Sequence, residues 1–352
     1  MAIVTIVGAG LMGTAVAYPL SDNGHSIRLV GTHLDGDIIK SCLEKNYHPR
    51  LKRQLPINVK PYYVHDLEQA LDGAEVIVSG VNSLGVHWIG QKIGPFLKPG
   101  QTIIAITKGL EVGLTGELII LPDVMRAEFP ETIRDQVQVA AVGGPCIAGE
   151  LAGKRHSLVM FGARDRKVSE KLAGVFRTPY YHIWPTSNLV GLEACAALKN
   201  AYTLGIGLAA GLLEKNGGID DAGAHMYNLA AGLFGASTKE MERMLEVIGV
   251  DRRFAYELPG AGDLYVTCMG GRTVRFGKLL GMGHSFSEAR KIMAGETLES
   301  IEIIRSMSKA IPELEKRNLL SPTDLPFMRS LIDIVVNGQA VNLPLDTFFG
   351  YS

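Results

Sequence analysis

The chain carries a glycine-rich turn at residues 8–13, which read Gly-Ala-Gly-Leu-Met-Gly. An apolar run that predicts a strand precedes this turn, and a segment that predicts a helix follows it. In this context Gly8 permits the sharp turn, Gly10 lets a pyrophosphate approach the backbone, and Gly13 lets the helix pack closely on the strand. The N–H groups at the start of the helix would face the phosphates. The pattern favours a dinucleotide site over an empty turn, with contacts at Gly8, Gly10, Leu11, Met12 and Gly13.

The residues after the second predicted strand bear on the choice between NAD and NADP. An Asp or Glu at the end of that strand would bind the ribose 2′-hydroxyl of NAD and repel the 2′-phosphate of NADP. The chain reads Val-Gly-Thr-His at residues 30–33 and has no acid there, and Asp35 comes late for that role. Arg28 and His33 could approach a 2′-phosphate, or they could be ordinary surface residues. The sequence therefore leaves NAD, NADP and dual use open.

Two further segments of the first half follow predicted strands. Lys108 comes just after the apolar run 102–106, and residues 143–146 read Gly-Gly-Pro-Cys after the run 137–142. Ligands of open α/β sheets gather at the carboxyl ends of the strands, so Lys108 could meet an anionic or carbonyl substrate. It could equally be a solvated loop lysine. No His or Asn arrangement supports Cys146 as a nucleophile, so we expect a passive side chain there.

The second half contains a lysine within an apolar helical segment. Residues 193–200 read Glu-Ala-Cys-Ala-Ala-Leu-Lys-Asn, which places Lys199 among small and apolar residues. A lysine in such surroundings extends its charged end to water, pairs with an acid, or has a perturbed pKa. Desolvation lowers the pKa of a lysine towards the range of a general acid or base. Lys199 is therefore a candidate proton donor, although an ordinary lysine at a helix end has the same sequence pattern.

An acid and an arginine follow in two glycine-containing segments. Asp263 lies in Pro-Gly-Ala-Gly-Asp-Leu at residues 259–264, and Thr267 comes four residues later, one turn along a helix. Asp263 could hold Lys199 through a charge-assisted hydrogen bond, or it could be a helix N-cap. Arg272 follows a pair of glycines and could bind a phosphate in bidentate fashion, or it could lie in a solvated loop.

Two different periodicities predict two domains. In the first half, short β-rich runs alternate with helical segments, which predicts a doubly wound, mostly parallel sheet covered on both faces. From Leu189 onward, almost every segment reads as a helix. We therefore expect an α/β fold with a Rossmann-type domain over residues 1–188 and an all-α domain over residues 189–352. The predicted strands are 2–7, 26–30, 76–79, 102–106, 137–142, 157–161 and 182–184, and the predicted helices are 11–23, 67–71, 86–96, 117–128, 189–213, 222–233, 238–248, 287–293, 298–309 and 327–336.

The composition argues against several classes of protein. Lys plus Arg number 35 and Asp plus Glu number 36, a formal net charge of −1, which is unlike a nucleic-acid binder. The four cysteines are scattered without a CxxC pair, which fits a reducing compartment and predicts neither a disulfide scaffold nor a metal site. No secretory signal and no membrane span are predicted, so we expect a cytoplasmic protein.

Glycine is abundant, at 41 of 352 residues against a usual share of about 7%. Some of this surplus falls in the proposed ligand-facing loops, at residues 8, 10, 13, 109, 143, 144, 260, 262, 270 and 271. Gly205, Gly207 and Gly211 lie instead in an apolar helical segment. There we expect them to permit close helix packing.

Taken together and in this order, the motifs resemble those of the NAD- or NADP-dependent glycerol-3-phosphate dehydrogenase family. The resemblance covers nearly the whole chain. It rests on the glycine turn, TKGLE around Lys108, GGPCIAGELA at 143–152, ALKN ending at Asn200, GAGDLYVTC around Asp263 and GGRTVRFG around Arg272. The segment HPRL at 48–51 is similar to an early loop of the family.

The resemblance implies roles in the reduction of dihydroxyacetone phosphate to glycerol 3-phosphate. Lys199 would be the catalytic acid/base, which donates a proton to the ketone oxygen as hydride arrives from the nicotinamide. Asp263 would act with it, since Asp263 and Thr267 would position Lys199 and a substrate hydroxyl. Lys108 and Asn200 would orient the substrate oxygens.

The resemblance also implies the phosphate and cofactor contacts. Arg272 and Thr273 would bind the substrate phosphate. Ala148 and Glu299 would lie near the nicotinamide cofactor, and Lys108 and Arg272 would contact it as well. The family further implies a role in glycerophospholipid synthesis. Together with the apolar helical half, it makes a homodimer the expected assembly.

Two departures from the family pattern keep other functions open. The chain has Arg-Thr at 272–273 where the family usually has Arg-Asn, and Glu-Ser at 299–300 where it usually has Glu-Gly. A related dehydrogenase for another phosphorylated polyol or for a keto or hydroxy acid, such as ketopantoate, is the alternative that Thr273 best supports. A cofactor-binding sensor without catalysis would show damage at Lys199 or Asp263, and both residues are present.

Overall fold

A computed structural model describes residues 1–349 of the chain. Their packing divides the chain into two compact units. The first unit combines residues 1–108 and 120–193, and the second combines residues 109–119 with those from 194 onward. A long helix that begins at Leu189 continues from the first unit into the second. The expected domain boundary between residues 188 and 189 stays a prediction.

The first unit is built on an eight-stranded sheet. Its strands are β1 (Ile3–Val7), β2 (Ser26–Val30), β3 (Val59–Tyr62), β4 (Val76–Ser79), β5 (Thr102–Ala105), β6 (Gln138–Gly143), β7 (Ser157–Ala163) and β8 (Tyr181–Thr186). Their spatial order is β3-β2-β1-β4-β5-β6-β7-β8, and all neighbours are parallel except β6 and β7. The first six strands thus follow the order of a dinucleotide-binding sheet, which binds ligands where the order reverses, beside β1 and β4.

The central strands are apolar along most of their length and buried throughout. β4 reads Val-Ile-Val-Ser and β5 reads Thr-Ile-Ile-Ala, and every one of these side chains is buried. Such continuous runs, rather than alternating ones, are typical of parallel strands that are covered on both faces. β1 lies between β2 and β4, with Val7 paired to Val30 on one side and to Ser79 on the other. The turn that follows β1 therefore begins in the middle of the sheet.

The helices of the first unit differ in part from the predicted ones. They are α1 (Leu11–Ala15), α2 (Ala17–Asp22), α3 (Gly36–Lys45), α4 (Leu67–Leu71), α5 (Val86–Ile93), α6 (Leu121–Ala127), α7 (Glu131–Arg134), α8 (Ala148–Ala152) and α9 (Arg166–Phe176). The helix predicted over 11–23 is interrupted at Val16. Pro19 explains the break, since it has no N–H to donate to the Ala15 carbonyl four residues earlier. The sequence pattern misses α3 and α9 altogether.

A short hairpin replaces the start of the helix predicted over 117–128. Its strands are Leu110–Val112 and Leu118–Ile120, and α6 begins only after them. Gly116 forms the turn with a φ of +82°, which residues with a side chain rarely adopt. Pro122 then lies in the first turn of α6, where proline is favoured. The helix prediction is therefore wrong for residues 117–120, because the turn at Gly116 outweighs the helix propensity of the residues after it.

The second unit is mainly helical. Its helices are α10 (Leu189–Lys215), α11 (Tyr227–Val247), α12 (Asp263–Cys268), α13 (Arg272–Gly281), α14 (Phe286–Ile292), α15 (Glu299–Lys316), α16 (Pro326–Val335) and α17 (Leu345–Phe348). The predicted helices 222–233 and 238–248 merge into one helix, α11, and the prediction is wrong for residues 222–226, which precede it. Ser237 lies within that helix, and its hydroxyl donates to the Leu233 carbonyl at 2.7 Å. The sequence pattern misses α13, although its first residue is a candidate site residue.

α10 is the core helix of the second unit. Within residues 1–349 it is the one helix long and apolar enough to cross a membrane by length and composition. However, 83% of its most apolar window is buried inside the protein, as is usual for the central helix of a folded domain. The expectation that the chain has no membrane span stays a prediction.

Candidate active site

Lys199 lies in the middle of α10 and is almost completely buried. The helix runs for 27 residues, so Lys199 is far from both of its ends. The Lys199 side chain is 6% exposed. A buried ammonium needs a close partner, because an uncompensated charge in a protein interior is costly.

Asp263 and Thr267 of α12 supply that partner. Lys199 Nζ lies 3.0 Å from Asp263 Oδ1 and donates a hydrogen bond of 2.7 Å to Thr267 Oγ1. Thr267 in turn donates to the Asp263 carbonyl oxygen at 2.6 Å. Asp263 is the first residue of α12 rather than its N-cap, and its side chain is 3% exposed. The structure thus brings three predicted site residues into one buried network that fixes the position of Nζ.

Glycines bring α13 into contact with α10. A Cβ at Gly277 of α13 would lie 2.0 Å from the Leu204 carbonyl oxygen, and one at Gly211 of α10 would lie 2.1 Å from the Lys278 carbonyl oxygen. A Cβ at Gly207 would lie 2.6 Å from the Val274 carbonyl oxygen of α13, and one at Gly205 would lie 2.4 Å from the Phe327 ring of α16. The predicted packing role of the α10 glycines is thus confirmed. Because the two backbones touch, this contact determines where the first residues of α13 lie relative to Lys199.

The first residues of α13 border a pocket of about 330 Å³. Gly271 precedes the helix with a φ of +103°, and Arg272 begins it. The Arg272 side chain is exposed, and no hydrogen bond or ion pair within residues 1–349 occupies its guanidinium. An arginine at a helix N-terminus suits a phosphate group. The pocket is lined by Asn200, Thr267, Gly270, Gly271, Arg272, Thr273 and Glu299.

The same pocket is lined by Thr273, which departs from the family pattern, and by Glu299, which precedes the second departure at Ser300. Thr273 is 9% exposed at the second position of α13, so its hydroxyl lies close to the helix start. Asn200 Nδ2 lies 3.5 Å from Oε2 of Glu299, the first residue of α15. Ser300, which follows, is fully buried, and its Oγ has no hydrogen-bond partner among the residues that the structure describes.

In the first unit, the glycine turn joins β1 to α1 as predicted. Gly8 has a φ of +114°, and a Cβ there would lie 2.6 Å from the carbonyl carbon of Gly80, just after β4. A Cβ at Gly13 would lie 2.2 Å from the Gly8 carbonyl oxygen. At Gly10 the nearest atom to a Cβ would be 3.9 Å away. The turn therefore requires Gly8 and Gly13 for its own shape and leaves open space at Gly10, which fits a bound pyrophosphate.

The residues considered for the choice between NAD and NADP lie in three different settings. Arg28 donates to two carbonyl oxygens in the last turn of α4, at 3.2 and 3.0 Å, and so caps that helix. His33 is exposed and meets the Trp88 ring edge-on, with the ring centres 5.3 Å apart. Asp35 is buried, and its Oδ2 accepts from the N–H and the hydroxyl of Thr32, both at 2.8 Å. The Arg28 guanidinium is thus engaged by carbonyl oxygens of α4, and the Asp35 carboxyl is turned inwards.

The other predicted contacts of the first unit follow strands of its sheet. Lys108 is half-buried three residues after β5. Ala148 begins α8, and Met12 and Ala148 both pack against the core of the sheet. Leu11 is 47% exposed at the start of α1.

Glu193 is a buried acid to which the sequence pattern assigns no role. It is fully buried in α10, and neither of its carboxyl oxygens has a hydrogen-bond partner among residues 1–349. Burial raises the pKa of Glu193 well above its usual range, and Lys108 opposes that shift while Asp123 adds to it. Burial therefore favours the neutral form of this carboxyl. The sequence signal that could have drawn attention to it is an acid within an otherwise apolar run.

Both halves of the chain match models of one protein family. The model of the NAD-dependent glycerol-3-phosphate dehydrogenase N-terminus matches residues 3–169, and the model of the C-terminus matches residues 188–345. The chain is also 32% identical to the NADP(+)-dependent glycerol-3-phosphate dehydrogenase of Archaeoglobus fulgidus over 339 residues, 96% of each chain. The chain belongs to the NAD-dependent glycerol-3-phosphate dehydrogenase family.

Other members of the glycerol-3-phosphate dehydrogenase family are similar over the whole chain. The Bacillus cereus enzyme named glycerol-3-phosphate dehydrogenase [NAD(P)+] is 28% identical over 351 residues, which cover 99% of this chain and 95% of the relative. The crystal structure of glycerol-3-phosphate dehydrogenase from Coxiella burnetii superposes with a TM-score of 0.80 at 24% identity, covering 99% of this chain and 97% of that one. The predicted fold, a Rossmann-type α/β sheet followed by an all-α domain, is confirmed.

Membership of the glycerol-3-phosphate dehydrogenase family also confirms two predictions about chemistry. The first is the resemblance of the motifs, from the glycine turn to Arg272, to those of NAD- or NADP-dependent glycerol-3-phosphate dehydrogenases. The second is the reaction class, an NAD(P)-dependent oxidoreductase that acts on an alcohol carbon.

Proposed function

We propose that this chain catalyses the reversible transfer of a hydride between NAD(P)H and dihydroxyacetone phosphate, which gives sn-glycerol 3-phosphate. The observation that carries this proposal is the buried Lys199–Asp263–Thr267 network, which shares a pocket with the Arg272 end of α13 through Thr267. A phosphorylated ketone needs both a proton donor at its carbonyl oxygen and a cation at its phosphate. The second unit combines the two.

Lys199 is the residue that moves the proton. Reduction of a ketone creates an alkoxide, so a proton donor must lie at the carbonyl oxygen. The Lys199 ammonium donates that proton, and in the reverse direction the amine accepts the proton of the alcohol. Asp263 and Thr267 hold Nζ in place through the ion pair and the hydrogen bond of 2.7 Å. The bound dinucleotide supplies the hydride from its nicotinamide ring.

Four further residues bind and orient the substrate. Arg272 and Thr273 hold the phosphate at the start of α13, which borders the pocket and where the first helical turn suits an anion. Lys108 and Asn200 orient the oxygens at the reacting end. Binding energy from the phosphate fixes the reacting carbon, because it comes from a part of the substrate that the reaction does not change.

The cofactor is held mainly by the first unit. The turn fits a pyrophosphate, because Gly8 and Gly13 are crowded while Gly10 has open space beside it. Asp35, the acid after β2, accepts from Thr32 and so is not free to bind the ribose 2′-hydroxyl. We therefore expect the enzyme to use both NADH and NADPH. The full set of cofactor contacts comprises Gly8, Gly10, Leu11, Met12, Gly13, Lys108, Ala148, Arg272 and Glu299.

The expected setting is a cytoplasmic homodimer that supplies glycerol 3-phosphate for glycerophospholipid synthesis. The scattered cysteines support a reducing compartment. The apolar composition of the helical half supports association with a second copy. Sedimentation of the purified chain tests the dimer directly.

Turnover of dihydroxyacetone phosphate tests the reaction, with NADH and NADPH titrated separately. We expect saturable oxidation of both coenzymes. Absence of turnover with either coenzyme would refute the proposal. Turnover of ketopantoate in place of dihydroxyacetone phosphate would assign the chain to the alternative dehydrogenase.

Lys199→Ala tests the proton donor. Loss of a general acid lowers kcat by about 10²- to 10⁴-fold, and the Kd for NADH should stay unchanged because the glycine turn is intact. Lys309→Ala is the matched control, since Lys309 is an exposed lysine on α15. A Lys199→Ala enzyme with the kcat of the parent would remove Lys199 from the mechanism.

A further inference from the structure

A buried histidine and a buried aspartate hold the residue between the first two glycines of the turn. Ala9 donates its N–H to Asp35 Oδ2 at 3.2 Å, and its carbonyl oxygen lies 2.9 Å from His48 Nε2. His48 is 0% exposed and Asp35 is 8% exposed. Both peptide groups that flank Ala9 are therefore held by buried side chains that the proposed reaction does not use.

The partner of the second ring nitrogen determines the protonation of His48. Leu51 donates its N–H to His48 Nδ1 at 2.9 Å, so Nδ1 is an acceptor and the ring proton lies on Nε2. Burial lowers the pKa of His48, so the ring is neutral at neutral pH. Nε2 is therefore the donor in the contact with Ala9.

The segment that carries His48 is held in place by its own hydrogen bonds. Its two short strands, Tyr47–His48 and Arg53–Gln54, pair with each other, and the Tyr18 hydroxyl on α2 donates to the Gln54 carbonyl at 2.7 Å. Asn46 closes the segment by donating from its side chain to the Leu55 carbonyl at 3.1 Å. His48 thus reaches Ala9 from a fixed support.

The contact with the Ala9 carbonyl has a direct effect on the next N–H group. In a planar trans peptide the carbonyl and the N–H point in opposite directions, so the Gly10 N–H points away from His48. That N–H has no acceptor among residues 1–349. The space beside Gly10 is open, since a Cβ added there would lie 3.9 Å from its nearest atom.

We propose that His48 is a positioning residue for the dinucleotide. By holding the Ala9 carbonyl while Asp35 holds the Ala9 N–H, it directs the Gly10 N–H towards the pyrophosphate. The proposal rests on the dinucleotide site of the proposed function. Since NADH and NADPH share the pyrophosphate, His48 acts equally on both coenzymes.

Two substitutions of His48 separate its two ring nitrogens. In His48→Asn the side-chain oxygen can replace Nδ1 and keep the Leu51 contact, but no donor reaches the Ala9 carbonyl. In His48→Gln the longer amide can place an N–H where Nε2 was. His65→Asn is the matched control, because His65 has a side chain that is 73% exposed.

The measurement is the Kd for NADH and for NADPH by calorimetry, with the Tm of each variant. For His48→Asn we expect about a tenfold weaker Kd for both coenzymes, the effect of one lost hydrogen bond, and an unchanged ratio between them. His48→Gln should bind within about threefold of the parent. A His48→Asn variant that binds both coenzymes as the parent does would overturn the proposal, even if its Tm falls. So would a His48→Gln variant as weak as His48→Asn.

Kinetics distinguish this inference from the proposed reaction. His48→Asn should show a higher KM for the coenzyme, with unchanged kcat at saturating coenzyme and unchanged KM for dihydroxyacetone phosphate. If the parent binds NADH but does not reduce dihydroxyacetone phosphate, the proposed function fails while the binding comparison still tests His48. A change in KM for the substrate alone would contradict a role at the pyrophosphate.

Discussion

Gly8 and Gly13 in the first unit are as crowded as Gly207 and Gly211 in the second, but their surroundings differ. Around Gly8 and Gly13 a Cβ would collide with the backbone of the turn itself and with Gly80. On α10, a Cβ would collide with the backbone of α13 instead. In the first unit, glycine lets a backbone turn close tightly and leaves open space beside Gly10. In the second, it lets two helices touch, so that Arg272 at the start of α13 borders the same pocket as Asn200 of α10.

The difference explains which parts of the site are local in sequence. A backbone amide needs only the correct turn around it, and residues 8–13 contain that whole turn. The side-chain site needs α10, α12, α13 and α15, which contribute Lys199, Asp263, Arg272 and Glu299. Substitutions should therefore change coenzyme binding in the first unit and substrate handling in the second.

The largest effect is expected at Gly277. Alanine there would place a methyl 2.0 Å from the Leu204 carbonyl oxygen, so α10 and α13 must separate. We expect the free energy of unfolding to fall by about 3 kcal/mol, the upper part of the range for overpacking. The KM for dihydroxyacetone phosphate should rise several-fold while the Kd for NADH is unchanged. An unchanged KM would show that the helix contact does not position Arg272.

Glu240 makes the stability of the second unit depend on pH. This fully buried carboxylate accepts from the N–H groups of Phe327 and Met328 at 2.6 and 2.9 Å and from the Tyr202 hydroxyl at 2.9 Å. Burial raises its pKa from 4.5 to about 7, although these hydrogen bonds oppose the shift. The folded state therefore binds more protons than the unfolded state. The stabilisation is complete below about pH 4.5 and is lost as the pH rises through about 7.

Urea unfolding at several pH values measures this dependence. Between pH 5 and pH 7 we expect the Glu240 contribution to the free energy of unfolding to fall by about 2 kcal/mol. Glu240→Gln should remove that slope and lower stability overall, because its amide N–H would face a backbone donor. Amide exchange should locate the change in α16 rather than in the sheet of the first unit. Parallel pH profiles for the parent and Glu240→Gln would contradict the assignment.

A smaller effect is expected at Gly13. A methyl there would lie 2.2 Å from the Gly8 carbonyl oxygen, so the turn must open and its amides must shift. We expect the Kd for NADH to rise about tenfold, equivalent to about 1.4 kcal/mol, with little change in the KM for dihydroxyacetone phosphate. Gly174→Ala in α9 is the control, since nothing lies within 4 Å of its added methyl. If Gly13→Ala and the control had equal coenzyme affinity, the crowded glycines of the first unit would not be needed for coenzyme binding.

The smallest effect is expected at Gly232 in α11, where nothing lies within 4 Å of an added methyl. Alanine is favoured over glycine inside a helix, so Gly232→Ala should stabilise the protein by up to about 1 kcal/mol. Thermal unfolding should show a slightly higher Tm with unchanged kinetics. A loss of stability would mean that crowding is not what distinguishes the glycines of α10.

Local patterns predict the parts of this fold that short segments determine. The turn at 8–13 and the strands β1, β2 and β4 are found close to their predicted positions, because burial and glycine spacing act within a few residues. The helix predicted over 117–128 fails at its start, where one turn at Gly116 competes with helix propensity. α13 is missed because its polar first turn resembles a loop until α10 packs against its glycines.

The candidate site shows the same limit. Residue types and motif order indicate Lys199, Asp263, Thr267 and Arg272, since each has a chemical property that a local pattern reveals. The distances among them depend on how α10, α12 and α13 pack. No local pattern indicates that Asp35 turns inwards or that His48 reaches Ala9.

The amino-acid sequence by itself determines the family, the parallel sheet and the glycine turn at residues 8–13, because each follows from neighbouring residues and their order. Only the tertiary structure decides that Lys199 is buried 3.0 Å from Asp263 and that His48 and Asp35 hold Ala9. These contacts join residues 64, 39 and 26 positions apart. Their geometry arises from the packing of whole elements, in which burial and hydrogen bonding are satisfied together.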